Sequence, residues 1–411
     1  METPDKLPLD VLGYIADMLG TDIETNQDGF NALKMLCLTC TFMIPVCRRH
    51  LFARIRFPIF PRVSRRQNRL TQFLNSNPII AHYVRNLHLN AAHPFIPLDY
   101  DFLQKICDSS SVTSLELSSS YSGDWTTLPE RLKSITLSCI QIPTLRRLIL
   151  DRIDIFPAAA LSLCSGLKDL TFRGIYRLTP PDSNDVSRRP TITTLVSLTL
   201  DSYGRRDNAL TSLMSGIGQN TSKAAPSYIV FEHLKSLCLS VYTQDDLPQM
   251  CELLERTTSL ERLTIHATRR FVPRLTGLGS SLASNPYPKL RSVTLDLGKF
   301  HQLDNNSRLP KLNIELRQLS GKNIIEALEV KATGELDTLW TPDANNWAAD
   351  FDQLVTDIGA FPVLRQVTIS LLCNIKKRHD DHPWKMTESW FPRLLESTAI
   401  QFELCTFRNP Y

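Results

Sequence analysis

One hydrophobic pattern recurs along the chain from residue 84 onwards: an apolar residue, two variable residues, an apolar residue, one variable residue and a last apolar residue. The eleven copies begin at Val84, Val112, Leu132, Leu145, Leu167, Leu195, Leu234, Leu260, Leu290, Ile325 and Leu364. Their number argues against coincidence and indicates an internal repeat. The alternation at the end of each copy predicts a half-buried strand, and the first apolar residue anchors the turn into it.

Helical segments are predicted between these copies, at residues 100–107, 208–215, 246–256 and 346–358. Strand, helix and strand in succession force the strands to run parallel, and right-handed crossovers stack them. We therefore predict an α/β fold over residues 84–411, with a parallel sheet in an irregular, curved solenoid. A last strand at 400–404 is expected to cap the stack, because an open end would expose a sheet edge and core.

The first 57 residues are predicted to form three short helices. Pro8 suits the first turn of a helix because its missing N–H costs nothing there, and Asp10 lies near the positive end of the helix dipole. Asp28 can cap the second helix, and Pro45 ends it and opens the third. Residues 58–83 contain a short helix and are predicted to bridge this helical module and the repeats.

The first helix carries more apolar surface than one core needs. Leu12, Ile15 and Leu19 follow each other at helical spacing, and Val11 and Met18 widen the stripe beyond one core face. About fifty residues in three short helices also bury too little of their surface to be comfortably stable alone. This surplus predicts that the helices dock onto a partner.

Polar residues that alternate with the buried strand positions are candidates for a binding face. On a parallel stack these positions point away from the core and line one continuous concave surface. Most are Ser or Thr, and the charged exceptions, the candidate client-binding residues, are Arg147, Asp169, Arg173, Asp201, Arg262, His266, Asp296 and Lys331. Arginines beside acids favour selective protein recognition because they penalise wrong partners. The alternative is that small polar residues simply suit strands that face water.

Composition narrows the class of protein. The 411 residues are 42% hydrophobic and 21% charged, as expected of a folded protein with at least two units. No apolar run is long enough to span a bilayer, and the first residues lack the basic start and apolar core of an export signal. We therefore expect no membrane association and a place in the cytosol or the nucleus. In such a chain the ten cysteines are expected to be reduced core residues.

The net charge of +4 is small, but the charges are unevenly distributed. Nine arginines, and no lysine or acid, lie between residues 48 and 98: Arg48, Arg49, Arg54, Arg56, Arg62, Arg65, Arg66, Arg69 and Arg85. This band could steer an acidic protein surface or a phosphate-bearing ligand towards the chain, or it is a solvated helix face. Nucleic acid is not favoured as a partner, because no recognised motif or aromatic platform accompanies the arginines.

No pattern indicates catalysis, a resident metal or a cofactor. Cys37 and Cys40 have the spacing of half a zinc site, but no second pair follows, which favours core packing. His379 and His382 could hold a metal, although their charged surroundings favour a solvated loop. No nucleophile elbow and no closely spaced acid, base and nucleophile occur. We expect that the protein is not an enzyme.

Three stretches at the start of the chain resemble the F-box, and most of all its fungal members. They are Leu-Pro-Leu-Asp-Val-Leu at 7–12, Leu-x-x-Leu-x-Leu-Thr-Cys-Thr-Phe at 33–42 and Cys-Arg-Arg-His-Leu-Phe at 47–52. The resemblance implies a module of three helices that binds the Skp-type adaptor of a cullin-RING ubiquitin ligase. It implies adaptor-contact or module-core roles for Leu7, Pro8, Leu9, Leu12, Ile15, Leu36, Leu38, Leu51 and Phe52. The unevenly spaced repeats resemble the leucine-rich-repeat superfamily in a degenerate form.

These resemblances lead to the hypothesis of a substrate-recognition subunit of an SCF-type ligase. Its helices bind the adaptor and its solenoid presents an unknown protein client. The alternative is a ligase-independent leucine-rich-repeat scaffold whose helices only cap the solenoid. A hydrolase or nucleotide-using enzyme is a third hypothesis, and it requires a deep pocket with convergent titratable groups.

Overall fold

The computed structural model describes residues 8–21, 27–39, 41–57, 72–90, 100–161, 163–174, 177–179, 193–201, 229–267, 275–285, 289–300, 308–335, 342–374 and 390–408. It is an α/β protein with a large parallel β-sheet and several helices. The chain divides into two compact units, residues 1–167 and 168–411. The boundaries predicted at 57 and 83 both fall inside the first unit.

The first unit contains several helices within its described residues. Among them are α1 (Leu9–Thr21), α2 (Gln27–Thr39), α3 (Met43–Leu51), α4 (Tyr100–Asp108), α5 (Glu130–Ile140) and α6 (Ala158–Leu161), and residues 72–76 are also helical. The strands are β1 (Arg54–Arg56), β2 (Asn86–Asn90), β3 (Ser114–Asp124), β4 (Arg147–Asp154) and β5 (Phe156–Pro157). Strands β1 to β4 pair in sequence order and run parallel.

Helices α1, α2 and α3 share a small core of their own. Its fully buried members are Ala16, Leu33, Met43 and Cys47. Leu12, Leu19, Leu36, Cys37, Val46 and Leu51 pack against them and remain partly exposed. With so few buried side chains, the core occupies only one side of each short helix.

Polar contacts and a glycine bring α1 close to α3. Asp17 accepts a hydrogen bond from the Arg49 guanidinium, and its Oδ1 lies 2.8 Å from His50 Nε2. The bond from Arg49, followed by that from His50, lowers the pKa of Asp17. Gly20 leaves room for the imidazole, because a Cβ at this position would lie 2.2 Å from His50 Nδ1.

The chain passes directly from α3 into the sheet. Residues 54–56, predicted as the end of the helical module, form β1 and pair with β2 from Arg54 opposite Asn86 to Arg56 opposite His88. The Ala53 carbonyl accepts the N–H groups of both Arg85 and Asn86, each at 2.8 Å. A three-residue strand has too short an alternation for sequence analysis to distinguish it from a helix end.

The second unit continues the alternation of strands and helices. Its described helices are α7 (Asp246–Arg256), α8 (Leu278–Ala283), α9 (Arg308–Gln318), α10 (Pro342–Thr356) and α11 (Pro392–Glu396). The described strands are β6 (Asp169–Arg173), β7 (Leu178–Thr179), β8 (Thr193–Thr194), β9 (Ser197–Asp201), β10 (Ile229–Val230), β11 (Ser236–Val241), β12 (Arg262–Ala267), β13 (Ser292–Phe300), β14 (Ala327–Glu335), β15 (Gln366–Asn374) and β16 (Gln401–Arg408). The helix predicted at 208–215 lies outside the described residues.

The large sheet of the second unit has the order β6-β9-β11-β12-β13-β14-β15-β16, and its described pairs are parallel. The carbonyl before one strand accepts two successive N–H groups from the start of the next. Lys235 O, for example, accepts from Glu261 N at 2.8 Å and from Arg262 N at 2.9 Å. This repeated link fixes the register, so residues at equal positions in successive copies lie side by side.

Ten of the eleven copies of the repeat form strands, each beginning two residues after the first apolar residue. The strand predictions for these copies and for residues 400–404 are confirmed. The strand predicted from Leu132 is wrong, because Leu132, Ile135 and Cys139 lie on the buried side of helix α5. Apolar residues three positions apart fit a helix as well as this repeat, and Glu130 suits a helical first turn.

The expectation that all ten cysteines are reduced is wrong for one pair. Cys107 on α4 and Cys139 on α5 form a disulfide, with their Cα atoms 5.1 Å apart. Both are buried in the core, as their apolar surroundings predict. Their separation of 32 residues gave no signal of pairing, because proximity depends on how the two helices pack.

Buried acids from one helix cap the start of another in the second unit. Asp352 on α10 accepts the N–H groups of Arg393 at 2.9 Å and Leu394 at 2.8 Å, in the first turn of α11. Glu315 on α9 accepts the Gly279 N–H at 2.8 Å. These bonds satisfy N–H groups that have no partner within their own helix.

Removing one such cap should destabilise the fold. We expect Asp352→Ala to lower the free energy of unfolding by about 1–3 kcal/mol, because two N–H groups lose their acceptor inside the protein. Urea denaturation followed by circular dichroism measures the change. Asp350→Ala is the matched control: Asp350 is exposed on the same helix, 3.9 Å from Arg317, and its loss should change stability by less than about 0.5 kcal/mol. Equal effects of the two substitutions would contradict the capping role.

Candidate interaction surfaces

Helix α1 exposes a line of large apolar side chains. Tyr14 is 66% exposed, Met18 59%, Val11 39% and Ile15 37%. Residues spaced by three, four and seven positions lie on one side of a helix, so these four form the α1 apolar stripe. Leu12, Ala16 and Leu19 occupy the neighbouring side, which faces the core. The apolar surface of α1 therefore continues from its core-facing side onto its exposed side.

The predicted adaptor-binding residues separate into exposed and packed sets. Pro8, Leu9, Ile15 and Leu38 are exposed. Leu12, Leu36 and Leu51 pack against the core of the three helices, and the Phe52 ring lies 5.8 Å from the Phe73 ring. Leu7 lies outside the described residues. The packed residues support the helices, and the exposed ones are available to a partner.

Tyr14 is a large residue of this surface that the sequence motif does not indicate, because the motif runs through aliphatic positions. Its spacing of three from Val11 was the signal that could have found it. Met35 in α2 and Phe42, directly before α3, are also exposed. Several large apolar side chains on so small a helical unit favour an interaction surface.

The polar face of the second unit consists of three rows that run across the strands in register. The first row is Asp169, Ser197, Ser236, Arg262, Ser292, Ala327, Gln366 and Gln401. The middle row is Thr171, Thr199, Cys238, Thr264, Thr294, Glu329, Thr368 and Glu403. The third row is Arg173, Asp201, Ser240, His266, Asp296, Lys331, Ser370 and Cys405. Seven of the eight candidate client-binding residues lie in the first and third rows.

Neighbours on this face are joined by polar contacts. Ser240 Oγ donates to Asp201 Oδ1 at 3.0 Å, and His266 Nδ1 lies 3.2 Å from Asp296 Oδ2. Lys331 Nζ lies 3.0 Å from Glu329 Oε1. These contacts hold the charged groups in fixed positions above the sheet, where a partner can meet them without first ordering them.

The His266–Asp296 pair shifts the pKa of both groups. The hydrogen bond to Asp296, followed by that to Cys238, raises the pKa of His266 to about 10. Burial alone would raise the pKa of Asp296, but the bonds from His266 and from the Gly298 N–H outweigh it, and the pKa is lowered. At neutral pH the pair therefore consists of an imidazolium and a carboxylate.

The remaining candidate, Arg147, belongs to the first unit. There it follows Arg54, Asn86 and Ser114 in one row across β1 to β4. The adjacent row holds Arg56, His88, Glu116 and Ile149. Arg54 and Arg56 thus place part of the arginine band on a sheet face. The sequence did not indicate this, because β1 was not predicted. Arg62, Arg65, Arg66 and Arg69 lie outside the described residues.

His88 lies in the middle of this first-unit face. Its Nε2 is 2.8 Å from Ser118 Oγ and 3.8 Å from Glu116 Oε1. Burial lowers the pKa of His88 and outweighs the charge of Glu116, which acts in the opposite direction, and the charge of Arg56 adds to the lowering. The imidazole is therefore neutral at neutral pH, in contrast to that of His266.

A depression of about 710 Å³ lies on the polar face of β13 to β16. Its charged lining residues are Asp296, Glu329, Lys331 and Glu403, and Thr294, Thr368 and Ser370 supply hydroxyl groups. The prediction of a capping strand at 400–404 does not by itself indicate that Glu403 lines this face. The alternation of Gln401, Glu403 and Cys405 was the signal that they share the face of the other strands.

The described residues contain no group of three or more His, Cys, Asp or Glu side chains placed to hold a metal ion. Cys47 lies in the core of the three helices and Cys37 packs against it. Cys40, His379 and His382 lie outside the part of the chain that the structure describes. None of the helices found among those residues has the length and apolar character needed to cross a membrane.

No family model matches the chain, and a search of curated proteins found no match. Two surfaces indicate the function, together with the motifs in the sequence: the α1 apolar stripe with its exposed neighbours, and the polar face of the second unit.

The His266–Asp296 ion pair on the polar face should raise the pH at which His266 titrates. We expect His266 to titrate near pH 10, and Asp296→Asn to move its pKa back towards 6.5, because the main hydrogen bond to the imidazolium is lost. Since the folded state favours the protonated form, the stabilisation is present in full below pH 6.5 and is lost as the pH rises towards 10. NMR of ¹⁵N-histidine-labelled protein measures the titration.

Asp169→Asn, on the same face but on β6, is the control and should leave the His266 titration unchanged. A titration of His266 near pH 6.5 in the unsubstituted protein would contradict the ion pair.

Proposed function

We propose that the protein is a substrate-recognition subunit of an SCF-type cullin-RING ubiquitin ligase. Helices α1 to α3 form an F-box-like module that binds the Skp-type adaptor. The repeats form an irregular leucine-rich-repeat-like solenoid that holds a protein client. The chain transfers no ubiquitin itself, since other subunits perform that chemistry, and it works in the cytosol or the nucleus.

The observation that carries this proposal is the α1 apolar stripe. Val11, Tyr14, Ile15 and Met18 are exposed although Leu12, Ala16 and Leu19 on the same helix face a core. Covering such side chains with a partner gains about 25 cal/mol for each Å² of apolar surface removed from water. The stripe lies in the stretch that resembles the F-box, which supports an adaptor as that partner.

The polar face supports the client-binding half of the proposal. Five of its charged groups, Asp201, His266, Asp296, Glu329 and Lys331, contact neighbours at 3.0–3.2 Å, so they present a fixed pattern. Fixed charges select a partner by penalising like charges opposite them. An open face with alternating charges fits recognition of a protein segment better than it fits a reaction that must exclude water.

Charged substitutions in the stripe should weaken adaptor binding strongly. Leu12 is unsuitable for this test because it packs against the core, so we choose Ile15→Asp and Met18→Asp. Interface anchors are commonly worth about 2 kcal/mol or more, so each change should weaken binding by roughly 30-fold. Co-purification with a Skp-type adaptor and titration calorimetry measure the loss. Ile358→Asp, an exposed apolar residue of the second unit, is the control and should bind normally. Undiminished adaptor binding by both stripe variants would refute the assignment.

A ligase-independent scaffold is the second candidate, and one observation favours it. The segment after α3 enters the sheet as β1, so the helices are joined to the repeats without an intervening linker. In this alternative α1 to α3 act as a cap that the sheet needs for stability.

Deleting residues 1–51 separates the two candidates. The deletion removes α1 to α3 and retains β1. If the helices are an adaptor module, we expect the shortened chain to keep a cooperative unfolding transition within a few degrees of the full chain. Calorimetry and circular dichroism measure it, with deletion of residues 1–57, which also removes β1, as a comparison. An unfolded or aggregated 52–411 chain would favour the scaffold.

A further inference from the structure

Two carboxylates flank a gap in the depression on the polar face. Glu329 on β14, Thr368 on β15 and Glu403 on β16 are neighbours in the middle row. Two strand spacings separate the outer residues, a backbone distance of about 9.6 Å. Thr368 between them is much shorter than glutamate, so the two acids stand on either side of a low hydroxyl-bearing floor. Ser370 extends this floor in the third row.

The charges around the gap do not cancel. The lining contains Asp296, Glu329 and Glu403 against Lys331, or a net charge of −2, and the His266 imidazolium paired with Asp296 reduces the charge around the gap to −1. Asp296 is paired with His266 at 3.2 Å, and Lys331 is paired with Glu329 at 3.0 Å. Glu403 accepts only a weak bond from the Cys405 thiol, at 3.2 Å, among the contacts in the described residues.

The Cys405 thiol is a neighbouring group that responds to these carboxylates. Its Sγ lies 3.2 Å from Glu403 Oε1, and its pKa is raised by this hydrogen bond, by burial and further by the charges of Glu403 and Glu329. Glu403 is exposed and therefore still hydrated, so a cationic group can displace its water at small cost. The volume of about 710 Å³ is within the range of about 300–1,000 Å³ typical of ligand-binding clefts.

We infer that the depression between β13 and β16 binds a lysine or arginine side chain of the client, in a short peptide segment that lies across the hydroxyl-bearing floor. The inference rests on the proposed client-binding role of the polar face. An arginine suits the site because its planar guanidinium donates several N–H groups at once and can bond to Glu403 and Glu329 together. The Thr368 hydroxyl beneath it can bond to the peptide backbone.

The same charges disfavour the opposite class of client. A phosphorylated or acidic segment would place its negative charge beside Glu329 and Glu403, with Lys331 already paired to Glu329. Like charges in contact oppose binding, so such a segment should be rejected here. Recognition of an acidic client by this depression is therefore an outcome that would overturn the inference.

The test uses the full-length chain and a defined probe. Fluorescein-labelled nine-residue peptides with arginine at the centre and varied neighbours are compared with sets that carry lysine, glutamine or phosphoserine there. We expect the strongest members of the arginine and lysine sets to bind about tenfold or more tightly than their glutamine counterparts, and the phosphoserine set not to bind. Binding should weaken as NaCl rises from 50 to 300 mM, because exposed charges are screened.

Substitution locates the binding to the depression. Glu403→Gln and Glu329→Gln should each weaken arginine-peptide binding by about tenfold, whereas Glu232→Gln should leave it unchanged. Glu232 is an exposed acid before β11 in the same unit, so this control removes the same charge elsewhere. Urea unfolding confirms that the variants are folded. Equal binding of arginine and glutamine peptides, or equal effects of Glu403→Gln and Glu232→Gln, would overturn the inference.

Adaptor binding is measured on the same preparations, which separates this inference from the ligase proposal. If the chain binds arginine peptides but not the adaptor, the depression remains assigned as a peptide site and the ligase role is refuted. Adaptor binding together with failure of every arginine and lysine peptide would refute only the depression.

Discussion

The in-register pairing of parallel strands is the constraint on which the structure depends. In the second unit the carbonyl before one strand, such as Val196 O or Lys235 O, accepts two N–H groups from the start of the next strand. Because side chains alternate across a strand, a fixed register buries every second residue and aligns the others in rows. The rows place residues that are distant in sequence next to each other, such as Lys331, Ser370 and Cys405 on three successive strands.

The small core of α1 to α3 is the second constraint. Ala16, Leu33, Met43 and Cys47 are its fully buried members, and the surrounding leucines are only partly covered. A core of this size can use one side of α1, so the adjacent apolar side has no cover within the described residues of the unit. The stripe and the core thus have the same cause, namely a helix with more apolar residues than its neighbours can bury.

The fold class and most strands were predictable because the repeat combines burial at its first position with alternation after it. The copy at Leu132 shows the limit: its apolar spacing also fits a helix, and α5 buries Leu132, Ile135 and Thr136 together. Pairing of Cys107 with Cys139 and entry of Arg54–Arg56 into the sheet depend on contacts distant in sequence, which a local pattern does not contain.

The candidate sites were predictable to a similar extent. Alternation placed Asp296 and Lys331 on the polar face, but it did not indicate that Glu403 and Glu329 flank one depression, because that depends on strand order. The sequence motif selected Ile15, Leu12 and Leu51 together. Only the packing of three helices separates the exposed Ile15 from the two leucines that support it.

We propose that a Skp-type adaptor covers α1. The decisive experiment is hydrogen–deuterium exchange of the full chain, alone and with excess purified adaptor. We expect slower exchange in α1 and in the exposed end of α2 on complex formation, with unchanged exchange in β13 to β16. Absence of a complex, or protection confined to the sheet while α1 exchanges as before, would contradict adaptor binding by α1.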